Sequence, residues 1–483
     1  MKQSGIVSEK PSIVWANNVL LDEDRLDGKF YDVKFVDKQT KLLKSDIPKV
    51  KLKDIITNMN APIGWQGIPS SAYRKRGNGI PLIRIQNIKE NQVNLESVID
   101  VDPQIYNEQP AIQAEKNDII ITRVGTIGRL CKVPSNVSRV AMGQNLTRIS
   151  FNTDNVDVDF ILAYMNTDYC LNQMIRFAYG GVQPSLTNKN IKDLLIIFPE
   201  LEIQHYIGNK FRKAEQLREN AKKLENEARA LIVKYLKIDE LKDKINSPDV
   251  KQKWNLISPD KLADRLDSEY YKKKYSILND HLTLLRKLNI KVLSLKEIIK
   301  NGSYGILPRS SDYGKGELTF IRSTDLKGYM INFDSCEKVP MEYNLEKARV
   351  SSGEILLEIK GAISGGAIVI DNITEAIVNG SIYKFSVKEE FNNFYVLAIL
   401  QSLIGDLQKE KYGANSVISY LSLDVIQNLQ IPVLDQSIQK EIGGKLKSYV
   451  LNQLEARSLI ISAKYDIESL IEGTLDESKI ESE

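Results

Sequence analysis

Phe198-Pro199-Glu200-Leu201-Glu202-Ile203-Gln204-His205-Tyr206-Ile207-Gly208 opens a stretch whose apolar residues then recur at Phe211, Ala214, Leu217, Ala221, Leu224, Ala228, Leu231 and Tyr235. Steps of three and four residues mark a heptad-like seam on one long helix. The passage returns near the other end of the chain. Ile431-Pro432, Ile438-Gln439 and Ile442-Gly443 lead into Leu446, Tyr449, Asn452, Ala456, Leu459, Ala463, Ile467 and Leu470. A helix of about 34 residues spans roughly 50 Å, longer than a typical globular helix. Lys, Glu, Arg and Asn crowd the flanking positions and would solvate the outer faces. A lone amphipathic helix would simply pack on its own domain; two similar seams closing two similar domains favour an antiparallel intramolecular coiled coil. Alanines at matched positions would let the backbones approach closely, and Asn452 would either fix the register or stay solvated.

Outward from these helices the chain repeats itself. Trp15, Arg25-Leu26-Asp27 and Phe30-Tyr31 return as Trp254, Arg265-Leu266-Asp267 and Tyr270-Tyr271. Val50 to Ile56 answers to Leu293 to Ile299, and Ile83-Arg84 to Ile321-Arg322. Asp118 to Ile121 with Gly125 answers to Glu354 to Leu357 with Gly361. Asn145 to Ser150 matches Ser381 to Ser386, Phe160 to Ala163 matches Tyr395 to Ala398, and Tyr179-Gly180 matches Tyr412-Gly413. A period of about 240 residues is domain-sized, unlike the 20 to 50 of a solenoid. Within each copy, short apolar runs bounded by Gly, Pro and Asn read as strands: 81–85, 119–124, 194–198, 318–321, 355–359 and 367–370. Residues 159–177 and 393–409 carry helical spacing. The expected fold is α/β (α+β): two tandem mixed domains, 1–203 and 238–436, each followed by a long helix, 204–237 and 437–473, with an acidic tail, 474–483.

Composition limits the chemistry. The 483 residues suffice for two or three ordinary domains. A net charge of +3 makes any DNA-facing positive potential local. Cys131, Cys170 and Cys336 are widely spaced, which suits a reducing cytoplasm and gives neither a disulfide framework nor a metal cage. The polar start and the lack of an 18-residue apolar run imply a soluble, cytoplasmic protein. The two histidines, His205 and His281, stand alone, which argues against His-rich zinc sites and a Ser-His-Asp triad. A phosphate-binding Gly-rich loop and the Asn/Asp-Pro-Pro-aromatic signature of amino-methyltransferases are both missing. The expectation is a non-catalytic chain.

Two repeats, each closing through strand, Pro, apolar-Gln and a long helix, resemble the DNA-specificity subunit of Type I restriction-modification systems. Asp118-Ile119-Ile120-Ile121 leading to Gly125 and Gly128, and Glu354-Ile355-Leu356-Leu357 leading to Gly361, are the sharpest landmarks. The Trp and Arg-Leu-Asp openings also resemble specificity chains of Type IIB and IIG systems. The resemblance implies that each mixed region is a target recognition domain reading one half of a split, asymmetric site on double-stranded DNA. It implies that the helices act as a spacer and dock two methyltransferase subunits that modify adenine N6, with a motor-nuclease subunit joining for restriction. S-adenosylmethionine, Mg²⁺ and ATP would then serve those partners, with no cofactor bound by this chain.

Base reading favours Arg for guanine and Asn or Gln for adenine, while Lys, Ser, Thr and backbone amides hold phosphates. Loop candidates in the first domain are Tyr73, Arg74, Lys75, Arg76, Arg84, Gln86, Asn87, Arg123, Arg129, Gln144, Asn145, Gln183 and Ser185. The second offers Arg309, Ser310, Tyr313, Lys315, Arg322, Ser323, Lys360, Asn379, Lys384, Asn415 and Ser416. Arg74 to Arg76 could equally be a solvated loop tip, and the recurrence of Arg84 as Arg322 suggests a shared structural ion pair. Residues that differ between the domains are the better sequence readers. Two other functions compete. Glu358-Ile359-Lys360 resembles the Glu-x-Lys of metal-dependent nucleases, with Asp334 or Glu337 upstream, but the first copy has Thr122-Arg123-Val124 there. A coiled-coil scaffold whose domains bind proteins is the second, less favoured because of the Arg-bearing loops.

Overall fold

Strands form where apolar residues run in short blocks between turns, and these blocks build the same sheets twice. The computed structural model describes residues 28–62, 68–89, 91–95, 97–134, 137–178, 184–251, 256–259, 262, 267–370, 375–413, 419–476, 478 and 480. Trp15, Arg25 to Asp27, Trp254, Arg265-Leu266 and Tyr179-Gly180 lie outside them. The chain divides into two compact units, residues 1–217 with 455–483, and residues 218–454.

In the first unit an antiparallel sheet runs in the order Leu130–Lys132, Ile119–Thr122, Leu146–Phe151, Ile56–Asn60. A five-stranded sheet follows the order Tyr73–Arg74, Ile99–Val101, Ile80–Ile83, Arg139–Met142, Gln113–Glu115, parallel only between Ile80–Ile83 and Arg139–Met142. The second unit repeats the plan. Its antiparallel sheet is Ile299–Tyr304, Ile382–Val387, Ile355–Glu358, Gly366–Ile368. Its other sheet sets Leu318–Ile321 between Glu337–Val339 and a parallel Ala376–Val378. Matching positions carry matching cross-strand pairs. Arg148 Nε lies 3.8 Å from Asp118 Oδ2, and Lys384 Nζ lies 2.9 Å from Glu354 Oε1.

The sequence expects one helix over 159–177 and another over 393–409. Each is two: Val158–Met165 then Asp168–Ala178, and Asn393–Leu400 then Leu403–Gly413. At each break the chain tightens to an i to i−3 turn: the Thr167 and Ser402 amides donate to the Tyr164 and Ile399 carbonyls at 2.9 and 3.1 Å, and their hydroxyls donate to the same carbonyls at 2.7 Å. All eight residues of Val158–Met165 are buried; seven are apolar and the eighth, Asp159, is paired with Lys132 and Arg212.

The long helices are Leu201–Tyr235 and Gln436–Glu472. The compact units divide both of them, so each unit holds one half of each helix. In the first unit Lys213 Nζ lies 3.5 Å from Glu455 Oε1, and Lys210 Nζ donates to Ser462 Oγ at 3.0 Å and pairs with Asp466. Numbers fall on one helix as they rise on the other, so the halves run antiparallel. Ile207, Phe211, Ala214, Ala456, Ala463 and Ile467 share one core. In the second unit Ala228, Ile232 and Leu236 share a core with Ile442, Leu446 and Val450, and Lys445 Nζ donates to Glu227 Oε2 at 2.7 Å. Beyond Ala228 the buried stripe follows Ile232 and Leu236, while Leu231 and Tyr235 are only partly covered. Each step of four turns the stripe about 40° around a 3.6-residue helix, against about 20° for a whole heptad, so the buried face leaves the heptad seam here.

The repeated Gln-Gly element now has a physical reason. Gln204 Oε1 accepts from the Asp157 amide at 3.1 Å and its Nε2 donates to the Pro199 carbonyl at 2.9 Å. Gln439 does the same with the Asn392 amide at 3.2 Å and the Leu434 carbonyl at 2.8 Å. Asp157 and Asn392 are the N-caps of the buried helices, so each glutamine ties a cap to the start of a long helix. Gly208 and Gly443 follow because a Cβ there would collide with Asp157 and Asn392.

Candidate nucleic-acid interface

In the first unit the strand Ile80–Ile83 ends in a short turn, Ile85–Asn87, beside the Gly143-Gln144 turn that follows Arg139–Met142. Between them lies a cavity of about 320 Å³ lined by Tyr73, Arg84, Gln86 and Gln144 with Leu82, Ile85 and Met142. Four candidates from three separate stretches of sequence thus meet at one opening. Tyr73, Gln86 and Gln144 are exposed, whereas Arg84 is half-buried and its Nε has no hydrogen-bond partner. Asn87, by contrast, is buried: its Oδ1 accepts from the Arg84 amide at 2.9 Å and its Nδ2 donates to Ser97 Oγ at 3.1 Å.

The basic tip is largely tied down. Arg74 pairs with Asp102 and donates to the Ser71 carbonyl at 2.7 Å. Arg76 Nη1 reaches Asp100 Oδ1 at 3.1 Å, and the buried Asp100 also accepts from the Gly77 and Gly79 amides at 2.7 and 3.1 Å. Asp100 therefore organises the Gly77-Asn78-Gly79 turn, and only Lys75 at this tip is exposed without an ion pair among the described residues.

A second group surrounds the end of strand Ile119–Thr122. The Arg123 amide donates to Asn145 O and its carbonyl accepts from Leu186, each at 2.8 Å, and Val124 bridges Ser185. Asn145 has φ 68, and Arg129 is exposed beyond Gly128. Burial lowers the Arg123 pKa from its ordinary value, and its Nε finds no partner. Thr122 Oγ1 donates to the Thr126 carbonyl and accepts from the Arg129 amide at 3.0 Å, closing the intervening loop. Gln183 lies outside the described residues.

The second unit treats the same chemistry differently. Arg322 is fully engaged: Nε to Asp325 Oδ2 at 3.2 Å, Nη1 to Glu337 Oε1 at 3.0 Å, and Nη2 to the Ser335 carbonyl at 2.6 Å. Lys384 is buried in its Glu354 pair, and buried Asn379 accepts from the Ser381 amide at 2.7 Å, so both side chains build the fold. Arg309, Ser310, Lys315 and Lys360 are exposed, Ser323 is half-buried, and Tyr313 packs its ring 5.4 Å from that of Phe320. Asn415 and Ser416 lie outside the described residues.

The nuclease-like carboxylates have other roles. Glu358 Oε2 accepts from the Ser364 and Gly365 amides at 3.2 and 2.9 Å, the bracing task that Thr122 performs in the first unit, and Glu337 faces Arg322. Sequence reading missed Gly143, where a Cβ would lie 3.2 Å from Arg84 Cγ; its counterpart in the second unit is Asn379, and that difference was the available signal.

Residues 44–230 and 287–462 match the family described as Type I restriction modification DNA specificity domain. The chain belongs to the Type I restriction-modification DNA-specificity family. The matched stretches make up more than half of its length and fall in both repeats. Among curated members, the EcoBI specificity subunit of Escherichia coli is 27% identical over 139 residues, 29% of this chain and 28% of that protein. The putative MjaX specificity subunit of Methanocaldococcus jannaschii is 26% identical over 158 residues, 33% of this chain and 34% of that protein. The chain thus spans about a third of the length of these relatives. The crystal structure of a Type I restriction-modification S subunit from M. genitalium covers 90% of this chain and 97% of its own, with 13% identity and a TM-score of 0.46. Among the described residues no helix of this family member is long and apolar enough to cross a membrane.

Proposed function

We propose that this chain is the DNA sequence-specificity subunit of a Type I restriction-modification complex. The first unit reads one half of a split, asymmetric site and the second unit reads the other. The two long helices set the distance between the half-sites and dock methyltransferase subunits that modify adenine N6. Methyl transfer from S-adenosylmethionine, and any ATP- and Mg²⁺-dependent cleavage by a motor-nuclease subunit, belong to those partners.

The observation that carries this reading is duplication with divergence. Both units share sheets, caps and the Gln clamp, yet they differ where candidate readers gather: Arg84 beside a cavity in one, Arg322 closed by carboxylates in the other. A shared frame with unlike reading groups suits two unlike half-sites. Mapping of modified adenines in cells carrying the chain with its methyltransferase tests it: a split motif with a fixed unread gap is expected. Random or absent modification would overturn it.

A further inference from the structure

The turn after the central strand is built identically in the two units, so its side chains can be compared position by position. Arg84 and Arg322 occupy one place: their amides donate to Asn87 Oδ1 at 2.9 Å and Asp325 Oδ2 at 2.8 Å. Asn94 and Asn332 then donate to the Asn87 and Asp325 carbonyls at 2.9 and 2.8 Å, and the hydroxyls of Ser97 and Ser335 donate to the Asn94 and Asn332 carbonyls at 3.1 and 2.9 Å. Across the sheet, Leu82 faces Ile99 where Phe320 faces Glu337.

Every acceptor that holds Arg322 is missing or occupied around Arg84. The carboxylate of Asp325 is the amide of Asn87. Glu337 is Ile99. The Ser335 carbonyl that accepts from Arg322 corresponds to the Ser97 carbonyl, which accepts from Asn87 Nδ2 at 3.3 Å. Arg84 is left with an unpartnered buried Nε, at the wall of the cavity. Gly143 leaves room for its stem. A half-buried guanidinium with no carboxylate is costly until something with two acceptors reaches it.

We propose that Arg84 is the specificity-determining residue of the first unit and reads the O6 and N7 edge of one guanine in the half-site. The proposal rests on the reading that this unit recognises DNA. The other lining residues decide between base and phosphate. Among them Tyr73, Gln86 and Gln144 are polar and neutral, and no second Lys or Arg joins Arg84. Phosphate sites gather cations and backbone amides, whereas a lone Arg among neutral amides suits an uncharged base edge. The second unit has no equivalent reader at this position, because Arg322 is closed by its own carboxylates.

The test uses the full chain assembled with its methyltransferase subunits and duplexes carrying the motif found by adenine mapping. Each guanine of the half-site is replaced in turn by 7-deazaguanine, which lacks the N7 acceptor. One replacement should weaken binding about ten- to a hundredfold for the native chain and have little effect on Arg84→Ala. Ile99→Glu, which leaves Arg84 in place but supplies the missing carboxylate, should reproduce the loss at that guanine alone. Thermal melting of both variants controls for folding, and Arg84→Lys retains the charge without the fork. Two outcomes overturn the proposal: Arg84→Ala leaving the preferred sequence unchanged, or weakening all sequences equally as a phosphate contact would. A native complex with no sequence preference would instead overturn the function proposed above.

Discussion

Gln204 Oε1 accepts the Asp157 amide at 3.1 Å across 47 residues of chain, joining the cap of one buried helix to the first turn of another. Gln204→Ala would strand that buried amide and the Pro199 carbonyl. The expected loss is about 1–3 kcal/mol in urea denaturation, and Gln439→Ala should match it. A loss below a few tenths of a kcal/mol would remove the clamp from the account.

Gly208→Ala weighs two effects of opposite sign. Alanine gains about 1 kcal/mol of helix propensity over glycine. The new Cβ collides with the Asp157 carboxylate, an overpacking cost of about 1–3 kcal/mol in a site that also holds His205 and Arg212. Net destabilisation is predicted for Gly208→Ala and Gly443→Ala, but a gain for Gly444→Ala, where a Cβ meets nothing. Melting temperatures of the three variants decide it.

Lys210 and Asp466 form an ion pair whose side chains are 10% and 6% exposed. Asp466→Ala leaves a buried ammonium and should cost about 3–5 kcal/mol, whereas replacing both partners by Met and Leu should be far milder. A double-mutant cycle with no coupling would show that the pair contributes nothing.

His281 gives the fold an acid limb. Its Nε2 lies 2.9 Å from the Leu236 carbonyl and so carries the proton, while Nδ1 is buried without a partner. Burial lowers its pKa from the ordinary value, so the unfolded chain takes up a proton that the folded chain resists. Stability contributed by the neutral ring is present above about pH 6.5 and falls as the pH drops toward the depressed folded value. His281→Gln should flatten this decline between pH 7.5 and 5.5; an unchanged slope would assign it to other groups.

The duplication, the two long helices and the six apolar strand runs were legible because each leaves a local mark. Ile203-Gln204 and Ile207-Gly208 recur because cap and helix must meet at one geometry. Asp118 with Arg148 and Glu354 with Lys384 recur because strand alternation places them on one face, diagonally across neighbouring strands. The break at Thr167 and Ser402 was not legible, since a hydroxyl returning to a carbonyl leaves the apolar period intact. Arg84 and Arg322 were indistinguishable by type. One difference between them, Asn87 against Asp325, lies three residues on and is local; the other, Ile99 against Glu337, lies fifteen residues on and comes near only through sheet pairing. Lys384 and Asn379 looked like readers because residue type alone cannot tell a loop donor from one already satisfied.

The sharing of each long helix between units sets an order for folding during synthesis. Residues 218–454 are contiguous, so that unit has all its parts once the ribosome has passed them. The other unit begins first yet closes last: its core needs Ala456, Ile460, Ala463, Ile467 and Leu470, made only after all of residues 218–454. Until then Phe211 and Ala214 have no partner helix, and the nascent chain carries an open apolar face through the making of an entire neighbouring domain.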